Sequence, residues 1–402
     1  MNAIYDPGMH EPLEIHPWDA LKAREARDAI LSITLDVAAR GELWPAHPDD
    51  DGGDLGFNLP TSVYVGAAGV IASLAALRGN KTQLADLATQ AVHAEQTSSS
   101  RGELDKGSYM LGSAGPALAA AIYASDTDSA ARLMNDARAM VENDGYELFA
   151  GSPGFMIAAK AMFELENNPE WAAIWLELFK PLFYAWKEVA PRTFLWDHNV
   201  YGRFYRKYLG AAHGFAGTAR VLLAGLDFVS DEHAATIIQR IVETARMTAV
   251  RDADGRVNWP AIFDDPTRGL PVQWCHGAPG FICSLADVPR GFDPIFDDLL
   301  VAAGELVWHA GPLRKGASLC HGAAGNGFAF LRLYQRTGEE LWLERARAFA
   351  MHAIAQADRQ RKEFGVPWHS LWTGDLGIAV YADACISARP DIPSIDGWPV
   401  AS

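Results

Sequence analysis

The chain has 402 residues and a net charge of −16, from 50 acidic and 34 basic side chains. This charge repels a phosphate backbone, so we expect no nucleic-acid partner. The sequence shows no apolar run of the ~18–20 residues that a membrane span needs and no N-terminal secretion signal. Its four cysteines are too few for a disulfide scaffold, so we expect a cytoplasmic protein with free thiols.

Residues 1–17 are predicted to form an extended N-terminal arm, because they contain three prolines. A first helix is predicted from Trp18 onwards, since the apolar residues that follow share one helical face. Residues 45–60 contain four aspartates without the regular ligand spacing of a calcium loop. That segment is therefore predicted to be a solvated acidic loop.

From residue 66 onwards one motif, Gly-x-x-Gly, recurs seven times at intervals of 39 to 63 residues. Each copy opens a short apolar helix, which an amphipathic helix follows, for example Thr82–Glu95 or 231–248. A helix that is apolar nearly all round belongs inside a protein, and one with a single apolar face belongs on an outer layer. The pattern predicts an all-α fold, an α/α toroid of seven inner and seven outer helices, forming one domain over residues 1–402.

Cysteine and histidine side chains precede the glycines of three consecutive repeats. His213, His276 and His321 stand directly before the first glycine, and Cys275 and Cys320 stand one residue earlier. Because equivalent repeat positions lie at the same end of a toroid, these side chains are expected to converge. Two thiolates and an imidazole suit zinc, and the set Cys275, Cys320 and His321 leaves a fourth coordination position open, as catalytic zinc requires.

Three motifs make the chain resemble the lanthionine synthetase C-like proteins, which include the cyclases of lanthipeptide biosynthesis and their eukaryotic-type relatives. The motifs are Ala-Ala-His-Gly-Phe-Ala-Gly at 211–217, Trp-Cys-His-Gly-Ala-Pro-Gly at 274–280 and Cys-His-Gly-Ala-Ala-Gly-Asn-Gly at 320–327. The resemblance extends from about Val65 to Ala382. It implies a toroid of seven inner and seven outer helices, zinc held by Cys275, Cys320 and His321, and His213 as the acid/base residue.

The chemistry of these groups suits the addition of a thiol to dehydroalanine or dehydrobutyrine. Zinc coordination keeps a thiol deprotonated while the sulfur remains nucleophilic, and a rim histidine such as His213 can protonate the α-carbon. His276 is the next candidate for that proton transfer. Glu147 stands where family members carry an acidic residue and is a candidate to orient a rim histidine, with a solvated glutamate as the alternative.

Two further positions bear on the substrate. Lys315 matches a lysine that eukaryotic-type members use on the glutathione carboxylate, although an ordinary surface lysine is the alternative. Bacterial peptide cyclases often carry tyrosine at the position of His276 and arginine at that of Pro271. These departures favour a eukaryotic-type enzyme that adds a small thiol, such as glutathione, to dehydroamino acids in peptides or proteins.

Two other classes of function stay open at the level of sequence. One is a zinc-stabilised scaffold that binds glutathione or a protein without turnover. The other is a glycan-active α/α barrel, which needs a pair of opposed carboxylates, whereas the predicted rim offers histidines and cysteines.

Overall fold

The computed structural model describes residues 3–48, 50, 61–77, 80–97, 107–200, 204–265, 267 and 269–399. These residues contain fourteen α-helices in two sets that alternate along the chain. The inner set consists of α2 (Ala67–Ala76), α4 (Ala114–Tyr123), α6 (Ser152–Glu166), α8 (Phe215–Ala224), α10 (Ala278–Leu285), α12 (Ala323–Thr337) and α14 (Asp375–Ser387). The outer set consists of α1 (Ala20–Ala38), α3 (Lys81–Thr97), α5 (Thr127–Ala139), α7 (Pro169–Ala185), α9 (Asp231–Thr248), α11 (Pro294–Ala310) and α13 (Glu340–Phe364).

The inner helices form a closed ring. Each packs against the next one in the series, and α14 packs against α2 to complete the circle. The outer helices lie against this ring, with α1 on α14, α7 on α6 and α13 on α12 among the contacts. The predicted all-α toroid is therefore confirmed.

Burial separates the two sets as the apolar pattern predicts. In α10 all eight residues are buried, whereas in the outer helix α5 the buried residues are Ser129, Leu133 and Ala137. Their spacing of four places these three on one face of the helix. Helix α1 begins at Ala20 rather than Trp18, because the Asp19 side chain accepts hydrogen bonds from the Leu21 and Lys22 amides and caps the helix.

Three short antiparallel hairpins interrupt the helical pattern. The first two lie between α7 and α8, and the third lies between α9 and α10. They pair β1 (Lys187–Ala190) with β2 (Thr193–Leu195), β3 (His198–Val200) with β4 (Phe204–Arg206), and β5 (Val250–Arg251) with β6 (Val257–Asn258).

The N-terminal arm runs along the loop that follows α11. The Glu11 amide donates to the Pro312 carbonyl at 3.0 Å, and the Arg314 amide donates to the Met9 carbonyl at 3.0 Å. In the predicted acidic loop, residues 51–60 lie outside the described residues. Asp50 is not solvated as predicted: it is buried and accepts hydrogen bonds from Trp368 and Thr373.

The C-terminal segment 391–399 closes the ring at the end where the inner helices finish. Ser394 is fully buried, and its carbonyl accepts a hydrogen bond of 2.5 Å from the Tyr109 hydroxyl. The Asp396 carboxylate forms ion pairs with Arg220 of α8 and Arg332 of α12, all three side chains being largely buried. Among the described helices, none has the length and apolar character to cross a membrane.

Candidate active site

Two runs of backbone hydrogen bonds lie at the end of the toroid where the inner helices begin. They join residues two positions before the first glycine of each motif, here called the rim residues: Tyr64, Met110, Phe149, Ala212, Cys275, Cys320 and Trp372. The amide of one rim residue donates to the carbonyl of the next for the pairs Tyr64–Met110, Met110–Phe149, Ala212–Cys275, Cys275–Cys320 and Cys320–Trp372, at 2.9 to 3.3 Å. The two cysteines are therefore neighbours although 45 residues separate them.

The glycines let the chain turn sharply from the rim into the inner helices. A Cβ atom at Gly325 would lie 1.8 Å from the carbonyl oxygen of Leu319, so a side chain at this position would disrupt the turn that presents Cys320. Gly277 has φ of +106°, in the region that glycine favours. At these positions the glycines are needed for the geometry of the site.

Cys275, Cys320 and His321 come together as the sequence predicts. One ligand atom from each, two sulfurs and an imidazole nitrogen, lie within 4.8 Å of one another. Both cysteines are buried, at 7% and 3% exposure, and His321 is half-buried. Two thiols and one imidazole in one cluster are a donor set that suits tetrahedral zinc, with one position left for a substrate atom.

Each cysteine sulfur accepts a hydrogen bond from a nearby side chain. The Tyr64 hydroxyl donates to Cys320 Sγ at 3.3 Å, and the Gln273 side-chain amide donates to Cys275 Sγ at 3.0 Å. A hydrogen bond with Cys275, together with burial, raises the pKa of Cys320 well above its ordinary value. A cation bound between the sulfurs would displace the proton that the Cys320 thiol otherwise retains.

His213 and Glu147 form a hydrogen-bonded pair. The Nδ1 atom of His213 lies 2.9 Å from Glu147 Oε2. The Glu147 side chain is fully buried and accepts hydrogen bonds from the amides of Phe149 at 2.9 Å and Ala150 at 2.6 Å. The carboxylate is thus fixed in place, and it orients the imidazole so that Nδ1 faces the carboxylate. It is not the solvated glutamate of the alternative interpretation.

His276 follows Cys275 in the chain and lies near His213. Its ring centroid is 6.5 Å from that of His213, and its Nδ1 atom is buried without a hydrogen-bond partner among the described residues. Burial lowers the pKa of His276 to about 3. A neutral imidazole at ordinary pH is a poor proton donor, which disfavours His276 for protonating a substrate.

Lys315 lies at the outer edge of the site. It is exposed, and it lines a small cleft together with His321, Gln360 and Trp368. The structure thus places a cation beside the predicted metal cluster. Cys283 and Cys385 are buried in the core, and burial raises the pKa of each to about 12.

Sequence reasoning missed Tyr64 and Gln273. Tyr64 is a rim residue, in the same register as Cys275 and Cys320. Gln273 stands four residues before the first glycine of its motif, which is also the register of Glu147. In the other five repeats this register holds serine or glycine: Ser62, Ser108, Gly210, Ser318 and Ser370. A comparison of the seven motifs position by position places both residues in the loops of the site, but it does not show that their side chains reach the sulfurs.

Comparisons with known proteins agree with this architecture. A family model described as lanthionine synthetase C-like protein matches residues 58–396. The chain is 28% identical over 306 residues to the zebrafish (Danio rerio) protein named glutathione S-transferase LANCL1, covering 72% of this chain and 73% of that protein. It is 35% identical over 167 residues to the LanC-like protein GCL1 of Arabidopsis thaliana, covering 40% of this chain and 37% of that protein.

Among solved structures, nisin cyclase aligns with a TM-score of 0.62 over 91% of this chain and 94% of its own, at 15% sequence identity. That likeness concerns the fold. The two sequence relatives are eukaryotic proteins, which confirms the prediction that the chain is nearer to the eukaryotic-type members.

Proposed function

The chain belongs to the lanthionine synthetase C-like family, and on that premise we propose that it is an enzyme that forms thioethers with the help of zinc. It would add the thiol of glutathione or of a peptide cysteine to dehydroalanine or dehydrobutyrine in a peptide or protein. The observation that carries the proposal is the cluster of Cys275, Cys320 and His321 beside the His213–Glu147 pair. The name of the zebrafish relative favours glutathione as the thiol.

In this proposal each group of residues has a separate role in the addition. Cys275, Cys320 and His321 would hold zinc, and the bound ion would supply the positive charge that keeps the substrate sulfur as a thiolate. In the reaction the S–H bond breaks and its proton leaves to water, a C–S bond forms at the β-carbon, and the carbon–carbon double bond becomes single. His213, held by Glu147, would deliver the proton to the α-carbon. Lys315 would bind a carboxylate of the thiol substrate.

The geometry disfavours a glycan-active barrel. Such an enzyme needs two carboxyl groups on opposite sides of the scissile bond, one of them able to donate a proton. Glu147 instead accepts hydrogen bonds from two backbone amides and faces His213, so it serves as a partner of the imidazole. A scaffold that binds without turnover would use the same cluster and is distinguished by experiment.

The decisive test is incubation of the purified protein with glutathione and a dehydroalanine peptide, followed by mass spectrometry. We expect the peptide to gain the mass of one glutathione and the protein to contain about one zinc per chain. Cys320→Ala should lose most of the metal and the activity. Glutathione binding without a mass change would favour the scaffold, and sugar hydrolysis by metal-free protein would favour the glycan-active barrel.

A second substrate separates the two kinds of thiol. A peptide that contains both a cysteine and a dehydroalanine can either cyclise without a change in mass or gain glutathione. Alkylation of the remaining thiol distinguishes a cyclised peptide from an unreacted one. Cyclisation in preference to transfer would mean that the departures at His276 and Pro271 do not determine the choice of thiol.

A further inference from the structure

We propose that Tyr64 and Gln273 are positioning residues for the two cysteine ligands. In this proposal each side chain donates a hydrogen bond to one ligand sulfur, and together they stabilise the negative charge of the cluster when a substrate thiolate joins it. The inference rests on the proposed function, because it assumes that Cys275 and Cys320 bind a metal ion. It adds two residues to the site and a physical reason for their presence.

Each of the two side chains donates to a different ligand sulfur. The Tyr64 hydroxyl donates to Cys320 at 3.3 Å and the Gln273 amide donates to Cys275 at 3.0 Å, so each ligand sulfur has its own side-chain donor. Both distances are within the range of hydrogen bonds to sulfur. The donors come from different repeats, one in the first motif and one in the fifth, so that the arrangement does not follow from a single local turn.

Both donors are held in place by their surroundings. Tyr64 is 6% exposed, its amide donates to the Met110 carbonyl at 2.9 Å, and its ring packs against Phe149 with centroids 5.1 Å apart. Gln273 and His276 exchange two backbone hydrogen bonds, of 3.1 and 3.2 Å. Donors that are fixed before the charge appears stabilise it without reorganisation.

The charges explain why such donors are needed. Two thiolates and a neutral imidazole neutralise a divalent cation, so a third thiolate from the substrate leaves the cluster with one negative charge. The cluster is largely buried, where an uncompensated charge is costly. Hydrogen bonds to anionic acceptors are stronger than those between neutral groups. Mutation of side chains that contact metal ligands typically lowers metal affinity or activity by ~10–100-fold.

The Phe149 ring connects this arrangement to the proton donor. It packs against both the Tyr64 ring and the His213 ring, with centroids 5.1 and 4.4 Å away. Tyr64 is therefore linked to His213 through one aromatic side chain, while Gln273 lies beside the neighbouring sulfur. Loss of either donor is expected to affect the metal cluster before it affects the His213–Glu147 pair.

The test uses Tyr64→Phe, Gln273→Met and Gln273→Glu in the full-length protein. Zinc affinity is measured by competition with a chelator, and the absorption bands of the cobalt-substituted protein report on the cysteine sulfurs. We expect Tyr64→Phe and Gln273→Met to weaken zinc binding by ~10-fold each and to shift the sulfur-to-cobalt bands. Gln273→Glu should weaken it more, because a carboxylate of the same size repels the thiolate instead of donating to it.

Tyr123→Phe is the matched control, since the Tyr123 hydroxyl donates to the Pro399 carbonyl at 2.9 Å and not to a sulfur. It should leave both the affinity and the cobalt bands unchanged. Parental zinc affinity and bands in all three test variants would overturn the inference even if thiol addition is observed in the parent. A parent protein that binds neither zinc nor cobalt would overturn the proposed metal site and this inference together.

Discussion

The two ends of the inner ring use buried polar side chains in different ways. At the end where the helices begin, Cys275, Cys320 and His213 lie in the loops that precede the helices, with side-chain partners that orient them. At the other end, Arg220 and Arg332 project from within the helices and pair with Asp396 of the C-terminal segment. One end brings together thiols and imidazoles, and the other pairs its charges internally and closes the ring.

This contrast follows from the local backbone. The loops before the helices carry the Gly-x-x-Gly turns, which bring rim residues of successive repeats into hydrogen-bonding distance. The residue type at a rim position can therefore differ from repeat to repeat while the backbone geometry stays the same. The closed end is instead covered by the C-terminal segment 391–399. Substitutions there are expected to alter stability, whereas substitutions at the rim are expected to alter metal binding or the rate of reaction.

The largest effect is expected at the rim. His213→Asn should keep the metal and the fold while thiol addition slows by ~10²–10⁴, the usual contribution of a positioned general acid or base. Zinc content and the rate of addition are measured on the same sample. Loss of metal would identify His213 as a ligand, and a full rate with full metal would assign the proton transfer to another group.

At the closed end the expected effect is on stability. Asp396→Ala should lower the free energy of unfolding by about 3–5 kcal/mol, because it removes the buried carboxylate from two buried guanidinium groups and leaves them only the more exposed Asp287. The exposed Asp298 of helix α11 provides the control, and Asp298→Ala should stay within about 0.5 kcal/mol of the parent. Denaturant unfolding measures both. If Asp396→Ala unfolds like the parent, the ion pairs do not hold the C-terminal segment.

The two ends should also differ in their response to acid. His198, in the β3–β4 hairpin near the rim, is fully buried, and burial lowers its pKa to about 4. Its folded pKa is thus below the unfolded value near 6.5, so the unfolded state binds a proton first and stability falls as the pH drops from 6.5 to 4. Arg220, with a pKa of about 9, stays charged over this range.

Unfolding at pH 7, 6 and 5 measures this response. The His198 contribution amounts to at most ~2 kcal/mol at pH 5, and His198→Gln should reduce the acid-induced loss by up to that amount. Equal pH dependence in the variant and the parent would show that other groups determine the acid sensitivity of the rim end.

The smallest effect is expected at the edge of the site. Lys315→Ala should raise the KM for glutathione by about two- to five-fold with little change in kcat, because an exposed ion pair contributes ~0.2–1 kcal/mol. Lys180→Ala, on the outer helix α7, is the control for a general loss of positive charge. Equal KM values for Lys315→Ala and the parent would show that Lys315 does not contribute to glutathione binding.

Much of the site was predictable because the repeat makes register visible. The alternation of apolar and amphipathic helices indicates the two rings, and the shared position of Cys275 and Cys320 indicates that they meet. The orientation of Glu147 toward His213 was a hypothesis that the geometry supports. The partners Tyr64 and Gln273 were not predicted, because neither residue type suggests a metal site and their contacts depend on side-chain direction.

Local patterns in the sequence determined the toroid, the rim and the residues able to ligate zinc, because helical periodicity and glycine spacing are properties of short segments. Only the tertiary structure determined which side chains form hydrogen bonds with those residues. It also determined how the C-terminal segment closes the other end of the ring. Asp396 is separated from Arg220 and Arg332 by 176 and 64 residues, and no repeat relates them. Such contacts arise from the packing of distant segments, which local pattern does not encode.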